Sequence, residues 1–267
     1  MNLKLLGTGA ADGIPALCSD SPVSRWAREY GGKDVRTRAA ALLDGEIKLD
    51  LGPDTLAQLQ RQGLDCADWT SLIFTHSDED HLTVSELQYF LQPFNSHPFL
   101  AFPIYGNASV LQKISERYPG WPIELVETHA FEKYSIAGYE FTPVRAMHGV
   151  TEEAHNLVFR KDGKTLVYAT DTGIWPEETF EYFQGAKIDL LVIECTEGLR
   201  NSEYKGHLDA NELLSVLSRL RSSEGIAESA KIVTTHHKHT GGRHCALVKF
   251  LSPHGIDVGY DGMDIAV

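Results

Sequence analysis

The stretch THSDEDH at residues 75–81 is the most informative part of this sequence. It places four side chains that can bind metal directly after one predicted strand. It follows the apolar strand candidate 71–74 and leads into a segment with helical spacing. Side chains on a tight loop at a strand end can converge on metal ions without backbone rearrangement. The alternative is a solvated strand-to-helix turn in which Asp80 only caps the helix. We predict metal binding by His76, Asp78, Asp80 and His81.

Three further ligand-type side chains follow predicted strands elsewhere in the chain. His148 comes after FTPVRAM, Asp171 follows TLVYA within ATDTG, and His236 follows KIVTT. A solvated turn at 75–81 would leave these matching positions unexplained. Four strand ends therefore supply the predicted metal ligands, which are His76, Asp78, Asp80, His81, His148, Asp171 and His236.

The remaining pattern predicts a layered α/β protein. Apolar or alternating runs predict strands at 3–6, 39–43, 47–51, 71–74, 141–144, 156–159, 165–168, 190–193 and 231–234. Helical spacing appears at 54–62, 83–90, 108–117, 177–183 and 209–221. No repeat, low-complexity tract or linker divides the chain, so residues 1–267 are predicted to form a single domain. This order suits two packed sheets with helices outside, although periodicity alone does not exclude a doubly wound sheet.

The composition limits the partners and the compartment. The 24 Lys and Arg residues against 37 Asp and Glu residues give a net charge of −13, which repels the phosphates of a long nucleic acid. No run approaches the roughly 20 apolar residues of a membrane span, and the apolar start is too short for a signal peptide. The four cysteines are scattered without a CxxC pair, as in reduced intracellular enzymes. We expect a soluble cytoplasmic protein without a membrane partner.

These features resemble the metallo-β-lactamase superfamily. Residues 75–81 look like its HxHxDH motif, and the other strand-end ligands stand where that superfamily has them. The chain is most similar to the PhnP-like phosphodiesterase branch, through LLGTGAADGIPALC near the start, GHLD at 206–209, THHKH at 235–239 and GYDGMDIAV at the end. The resemblance covers essentially the whole chain. It implies an αββα sandwich, in which two mixed β-sheets are flanked by helices.

The resemblance also implies a dinuclear site with two divalent ions per chain. One ion would bind His76, Asp78 and His148, the other would bind Asp80, His81 and His236, and Asp171 would bridge them. Two ions about 3.5 to 4 Å apart share a water and hold it as hydroxide for in-line attack on phosphorus. Asp80 and Asp171 are therefore also expected to be catalytic. The implied substrate is a small phosphodiester, which can be cyclic, and relatives commonly form homodimers.

Two positions depart from the family pattern. Asp78 replaces the second histidine of the motif, and this harder ligand set favours Mn²⁺ or Fe²⁺ while leaving Zn²⁺ open. The branch also holds a structural zinc with a CxCxxC loop and a late histidine. The corresponding positions here are Cys18, Asp20, Val23 and His239, so at least one ligand is missing. We expect no well-occupied third metal, and we expect Cys18 to be a small buried residue.

His207 is the predicted proton donor. It lies just before the helix that is predicted to begin near Asp209, and in the PhnP-like branch a histidine in this GH context faces the substrate. It would protonate the leaving group or hydrogen-bond the phosphoryl oxygens. The alternative is a loop histidine that only packs near the helix start. Because a helix N-terminus disfavours the imidazolium, a neutral donor also stays open.

Other functions remain open at this point. The same fold and metals serve hydrolysis of lactones, thioesters or sulfates. A tRNA-processing nuclease is disfavoured by the charge and by the lack of a long Gly/Pro-rich insertion. Asp78 also fits a redox di-iron protein or a non-catalytic metal-binding relative. The first would need an electron donor that this chain lacks, and the second would be expected to lose more ligands. The sequence therefore predicts a metal-dependent phosphodiesterase.

Overall fold

The computed structural model describes residues 1–96, 102–149 and 151–267, and within them the strands form two seven-stranded sheets. The first sheet contains, in spatial order, β14 (Met263–Ala266), β1 (Asn2–Gly7), β2 (Ala40–Leu43), β3 (Ile47–Leu49), β4 (Ser71–Ile73), β5 (Ile104–Gly106) and β6 (Leu125–Glu127). The second contains β13 (Asp257–Val258), β12 (Ile226–Thr235), β11 (Ile188–Glu194), β10 (Lys164–Ala169), β9 (His155–Lys161), β8 (Tyr139–Arg145) and β7 (Tyr134–Ile136).

Six α-helices occur in the described part of the chain. They are α1 (Pro22–Tyr30), α2 (Thr55–Gln62), α3 (Ala108–Arg117), α4 (Glu177–Tyr182), α5 (Ala210–Ser222) and α6 (His244–Leu251). Short 3₁₀ helices cover Gly32–Asp34, Val84–Phe90 and Ser252–His254. No helix in these described ranges has the length and apolar character that a membrane span requires.

Both sheets are mixed, and both change direction in the same way. In the first sheet the pairs from β14 to β3 are antiparallel, and those from β3 to β6 are parallel. In the second sheet the pairs from β7 to β10 are antiparallel, and those from β10 to β13 are parallel. The carboxyl ends of successive parallel strands meet at one edge of each sheet.

Successive side chains along each strand point to opposite faces of its sheet, so each sheet packs against the other sheet on one face and against helices on the other. In β10, Leu166 and Tyr168 face the other sheet, whereas Val167 and Ala169 face the helices. The core between the sheets draws residues from both of them. Helices α2 and α3 cover the outer face of the first sheet, and α4, α5 and α6 cover that of the second. The predicted two-sheet arrangement with helices outside is confirmed.

Helix α5 shows how local sequence fixes an element that borders the site. The Asp209 carboxylate accepts hydrogen bonds from the backbone N–H groups of Asn211 and Glu212. The Glu212 carboxylate in turn accepts a hydrogen bond from the backbone N–H of Asp209. The helix then buries Leu213 and Leu217 against the second sheet. This capping box therefore fixes where the chain leaves the loop that contains His207.

The nine predicted strands and four of the five predicted helices are confirmed. The segment 83–90 is a 3₁₀ helix rather than an α-helix. The prediction missed α1, although Ser21 caps it and Pro22 occupies its first turn, and it also missed α6. It missed five strands as well, namely β5, β6, β7, β13 and β14. Each has only two to four residues, so a two-residue period has few positions in which to show, whereas the equally short β3 and β4 lie within the longer apolar runs 47–51 and 71–74.

Lys48 is a cation buried in β3. Its Nζ donates hydrogen bonds to the backbone carbonyls of Leu49 and Asp50 and lies 5.9 Å from the centre of the Trp69 ring. Burial lowers the pKa of Lys48 from 10.5 to about 7, despite the opposing charge of Asp50. The unfolded chain therefore binds more protons than the folded chain between pH 7 and pH 10.5. In this window stability rises with pH.

We therefore expect the free energy of unfolding of the wild type to rise between pH 7 and pH 9 by roughly 2 kcal/mol more than that of Lys48→Met. Urea denaturation of both proteins at pH 7, 8 and 9 measures this difference. Lys164→Met, which removes a half-exposed lysine paired with Asp189, serves as the control and should keep the wild-type pH dependence. Parallel curves for the wild type and Lys48→Met would contradict the lowered pKa.

Candidate metal centre

The predicted ligands lie just beyond the carboxyl ends of four strands. Residues 76–81 follow β4, His148 follows β8, Asp171 follows β10 and His236 follows β12. Asp171 and His236 have φ values of 47° and 56°. This left-handed conformation is uncommon for residues other than glycine and is often found at functional sites. The backbone therefore turns sharply at two of the predicted ligands.

All seven predicted ligands lie in one cluster. Their donor atoms include two sets within which all separations are at most 4.8 Å, one formed by His76, His148 and Asp171 and the other by Asp80, His81 and His236. Asp171 Oδ2 lies 2.9 Å from His81 Nε2, and Asp171 Oδ1 lies 3.3 Å from His236 Nε2 and 3.9 Å from His148 Nε2. Asp171 thus contacts members of both sets, as a bridging ligand would.

Asp78 and Asp80 lie on different sides of this cluster. Asp78 Oδ2 is 3.3 Å from His148 Nε2 and 3.5 Å from His76 Nε2, and its side chain is 56% exposed. Asp80 Oδ2 is 3.3 Å from His81 Nε2, and its side chain is 11% exposed. Both carboxylates are therefore within reach of an ion held by the neighbouring imidazoles, but Asp78 borders solvent.

The donor atoms fit a divalent metal. Among the described residues, Nε2 of His76, His81 and His236 and Oδ2 of Asp171 are buried and make no hydrogen bond of acceptable geometry. Leaving such groups unpaired costs about 1–3 kcal/mol each. Imidazole nitrogen and carboxylate oxygen are ligands of Zn²⁺, Mn²⁺ and Fe²⁺. Ligand atoms about 3 Å apart suit a shared ion, because metal–nitrogen bonds are about 2.0–2.1 Å long.

Asp50, at the end of β3, orients two of these histidines. Its buried carboxylate lies 2.8 Å from His81 Nδ1 and accepts hydrogen bonds from the backbone N–H and the hydroxyl of Thr75 at 2.8 and 3.0 Å. Because the Thr75 hydroxyl donates its proton to Asp50, it accepts from His76 Nδ1 at 3.0 Å. Both imidazoles therefore carry a proton on Nδ1 and direct the Nε2 lone pair to the centre.

Glu194, at the end of β11, plays the same part in the second sheet. Its buried carboxylate lies 2.8 Å from His207 Nδ1 and accepts the hydroxyl proton of Thr196. The Thr196 hydroxyl in turn lies 2.9 Å from His236 Nδ1. A further hydrogen bond of 2.6 Å from the backbone N–H of Thr172 holds the carboxylate in place. His236 is thus oriented through a threonine, and His207 directly.

His207 lies beside the candidate centre rather than apart from it. Its ring centroid is 4.9 Å from that of His148 and 5.5 Å from that of His236. Burial alone would lower the pKa of His207, but the carboxylates of Glu194 and Asp171 raise it above the ordinary value. From the sequence, the nearby helix N-terminus kept a neutral His207 as an alternative. In the structure, the carboxylates of Glu194 and Asp171 favour the protonated imidazolium form of His207.

The acidic groups of the cluster are ionised. Burial would raise the pKa of the Asp80 carboxyl, but His81 and His236 hold that pKa well below its usual range. The same two histidines outweigh burial at Asp171 and lower the pKa of its carboxyl as well. The cluster therefore offers charged oxygen donors to a cation.

The region that corresponds to the structural zinc loop of the PhnP-like branch contains hydrogen bonds between side chains. His239 Nδ1 lies 3.0 Å from Ser19 Oγ, and His239 Nε2 lies 3.0 Å from Asp12 Oδ2. Cys18 is exposed, so the prediction of a buried residue is wrong. The backbone takes a positive φ of 50° at Cys18, within a loop that lies at the surface. Neither His239 nor Cys18 belongs to a group of described residues that could hold a metal.

The sequence analysis missed Asp50 and Glu194. Both stand where a buried strand ends, which is the criterion that identified Asp171. Applied to every strand, this criterion would have found them, because a buried carboxylate at such an end needs a partner. It would not have revealed that Asp50 and Glu194 orient histidines through the hydroxyl groups of Thr75 and Thr196. One of these hydrogen-bonded pairs, Thr196 with His236, is 40 positions apart in the sequence.

The chain is similar to known proteins in sequence and in fold. A family model described as the beta-lactamase superfamily domain matches residues 46–237. No curated protein sequence matches the chain. One similar solved structure is a diphosphatase from the PhnP family, with 23% identity, a TM-score of 0.78 and coverage of 100% of this chain and 97% of that one.

Two other similar structures come from named organisms. Zinc-bound PqqB from Methylobacterium extorquens has 17% identity and a TM-score of 0.78, and all of both chains is covered. Human tRNase Z, short form, has 17% identity and a TM-score of 0.67, with 100% of this chain and 99% of that chain covered. At these identities the likeness shows the fold alone. The predicted αββα sandwich is confirmed.

We expect Asp50→Asn to weaken the binding of divalent ions by about 10- to 100-fold. The amide keeps the shape of the side chain but can donate where the carboxylate only accepts. His81 can then lose its Nδ1 proton and carry one on Nε2, facing the centre. Calorimetric titration of metal-free protein with Mn²⁺ and with Zn²⁺ measures the affinity.

The control for this experiment is Asp264→Asn, which changes an exposed carboxylate paired with Lys4. It should leave the metal affinity unchanged. If Asp50→Asn bound both ions as tightly as the wild type, the proton positions inferred for His76 and His81 would be wrong.

Proposed function

Because the chain belongs to the metallo-β-lactamase superfamily of metal-dependent hydrolases, we propose that it hydrolyses small phosphodiesters. The observation that carries this proposal is the pair of donor sets that meet at Asp171, with His207 and Glu194 beside them. Two donor sets suit an in-line displacement, in which the attacking and leaving oxygens are stabilised together. A neighbouring acid suits the departure of an alkoxide.

Phosphorus chemistry has further support from the similar folds. One of them is described as a diphosphatase of the PhnP family, and another is a tRNase Z. The segments 206–209 and 235–239 also resemble the PhnP-like phosphodiesterase branch. A small substrate is favoured over a long nucleic acid, because a net charge of −13 opposes binding of a phosphate backbone.

We propose that two divalent ions bind in this cluster. The proposed ligands are His76 and His148, with the adjacent Asp78, for one ion, Asp80, His81 and His236 for the other ion, and Asp171 for both. When bound, such ions supply Lewis acidity toward a phosphoryl oxygen and lower the pKa of water. The nitrogen and carboxylate donor set favours Mn²⁺ or Fe²⁺, with Zn²⁺ as the alternative. PqqB, a protein of this fold, is described with bound Zn²⁺.

The chain's own groups would position the substrate and deliver the proton. His207 is bound to Glu194 through Nδ1, so its Nε2 is the nitrogen free to face a substrate. Glu194 also accepts the backbone N–H of Leu208 at 3.2 Å, which keeps the histidine from rotating away. We assign His207 to protonation of the leaving group, with Glu194 stabilising the positive charge on the ring before transfer.

We expect metal-loaded wild-type protein to hydrolyse bis(p-nitrophenyl) phosphate faster than it hydrolyses a lactone, a thioester or an aryl sulfate. Asp171→Ala should abolish this activity, because its carboxylate serves both donor sets. Steady-state kinetics, with elemental analysis of each protein, measure both effects, and Asp189→Ala is the control. A clear preference for one of the other esters would contradict the proposed function.

The assignment of His207 predicts a dependence on the leaving group. His207→Ala should slow hydrolysis of an alkyl diester by roughly 100- to 10,000-fold, because a poor leaving group needs the proton. It should slow the nitrophenyl diester much less, since nitrophenolate departs without one. The measurement is kcat/KM for both substrates, with His129→Ala as an exposed control. Equal losses would exclude the proton donor and leave a hydrogen bond to the phosphoryl oxygens.

A further inference from the structure

Tyr204 stands beside the proposed proton donor, in the loop between β11 and α5. Its side chain is 53% exposed, and its ring centroid lies 5.5 Å from that of His207 with an interplanar angle of 63°. Because about half of the residue is exposed, part of the ring is accessible to a ligand. If His207 protonates the leaving group, that group must lie within reach of Tyr204.

Gly206 leaves room for the Tyr204 ring in this position. A Cβ atom on Gly206 would lie 2.5 Å from Cζ of Tyr204 and would also overlap its hydroxyl oxygen. The ring therefore packs directly on the bare backbone of Gly206. The carbonyl oxygen of the same glycine lies 3.2 Å from Nδ1 of His148. One residue thus links the ring to a proposed metal ligand.

The backbone of Lys205, next to Tyr204 in the same loop, packs against the turn that follows Asp171. A Cβ atom on Gly173 would overlap the carbonyl oxygen of Lys205. The backbone N–H of Gly173 also donates to the carbonyl of Met147 at 2.8 Å. The loop that contains Tyr204 is therefore packed against the Asp171 turn, and that turn is itself hydrogen-bonded to the segment before His148. This packing sets the position of the loop relative to the candidate centre.

The chemistry at this position is aromatic and uncharged. Burial and the carboxylates of Asp171 and Asp78 raise the pKa of the Tyr204 phenol, so its hydroxyl stays protonated. The neighbouring cation, Lys205, forms an ion pair with Glu212, in which Nζ lies 2.7 Å from Oε1. A phosphorylated leaving group would call for a free cation beside it. A planar ring would instead find an aromatic face.

We propose that Tyr204 is a specificity-determining residue whose ring stacks on a planar aromatic leaving group of the phosphodiester. The inference rests on the proposed function for the identity of the reaction. The binding preference that it predicts does not require turnover. Because the ring already packs on Gly206 and contacts His207 before a ligand arrives, stacking costs less additional side-chain entropy. The site should then prefer aryl and heteroaryl leaving groups to alkyl or phosphorylated ones.

The test uses two matched diester analogues, methyl benzylphosphonate and methyl cyclohexylmethylphosphonate, in which a P–C bond replaces the ester bond to the ring-bearing group, so that this group cannot be released. They carry the same charge and differ in whether the six-membered ring is flat. Calorimetry with metal-loaded protein should give a Kd for the benzyl compound that is about 3- to 10-fold lower, the range expected for one aromatic pair. Tyr204→Leu should remove this preference, and Tyr204→Phe should keep it.

Tyr89→Leu is the matched control, because Tyr89 is 50% exposed and lies on the 3₁₀ helix Val84–Phe90, outside the cluster. It should keep the wild-type preference, and metal content is measured for every variant. Equal affinity of the wild type for both analogues would overturn the inference. A preference that survives in Tyr204→Leu, or that disappears in Tyr204→Phe, would also overturn it, since the ring would then not be the cause.

Turnover separates this inference from the proposed function. The corresponding benzyl and cyclohexylmethyl methyl phosphates release alcohols of similar leaving ability, so their kcat/KM values can be compared directly. A preference in binding without hydrolysis of either diester would refute the proposed function and leave the aromatic subsite standing. Hydrolysis of both diesters with no preference in binding would refute only the role of Tyr204.

Discussion

The positions of the protons on the histidines govern the candidate centre. An imidazole offers a lone pair to a cation only when its other nitrogen carries the proton, and two buried carboxylates enforce that arrangement at His76, His81 and His236 and hold His207 as the proposed proton donor. The contacts are Asp50 with His81 and, through Thr75, with His76, and Glu194 with His207 and, through Thr196, with His236. Because the carboxylates are buried, little water competes for these hydrogen bonds, and each one is stronger than at the surface.

The two carboxylates come from different sheets, which explains why the centre needs the whole sandwich. Asp50 ends β3 in the first sheet, and Glu194 ends β11 in the second. The core between the sheets holds these strand ends at a fixed separation. Side chains that follow β4, β8, β10 and β12 can then meet without long or flexible loops. Neither sheet alone supplies both donor sets.

The surroundings of the cluster differ from side to side. Asp78 borders solvent near His148, where a cation and water can enter. His207 and Tyr204 also lie near His148, and the Tyr204 ring packs on Gly206. In the proposed reaction, His207 and Tyr204 would therefore lie beside the departing group.

The sequence by itself determined the layered α/β fold and the seven residues of the cluster. These features depend on local pattern, since each predicted ligand follows an apolar run of four or more residues in the sequence and α5 begins at its own capping box. The five strands that escaped prediction have two to four residues each, which leaves few positions in which a period can show. The exposure of Cys18 also escaped it, because burial is decided by packing.

Only the tertiary structure decided how the cluster works. The proton positions depend on contacts between residues distant in sequence, such as Asp50 with His81 and Thr196 with His236. The position of the Tyr204 ring likewise depends on the absence of a side chain at Gly206, which leaves room for it. A sequence pattern records which residue types stand at strand ends. It does not record which of their atoms meet, because that is set by the separation and register of the two sheets.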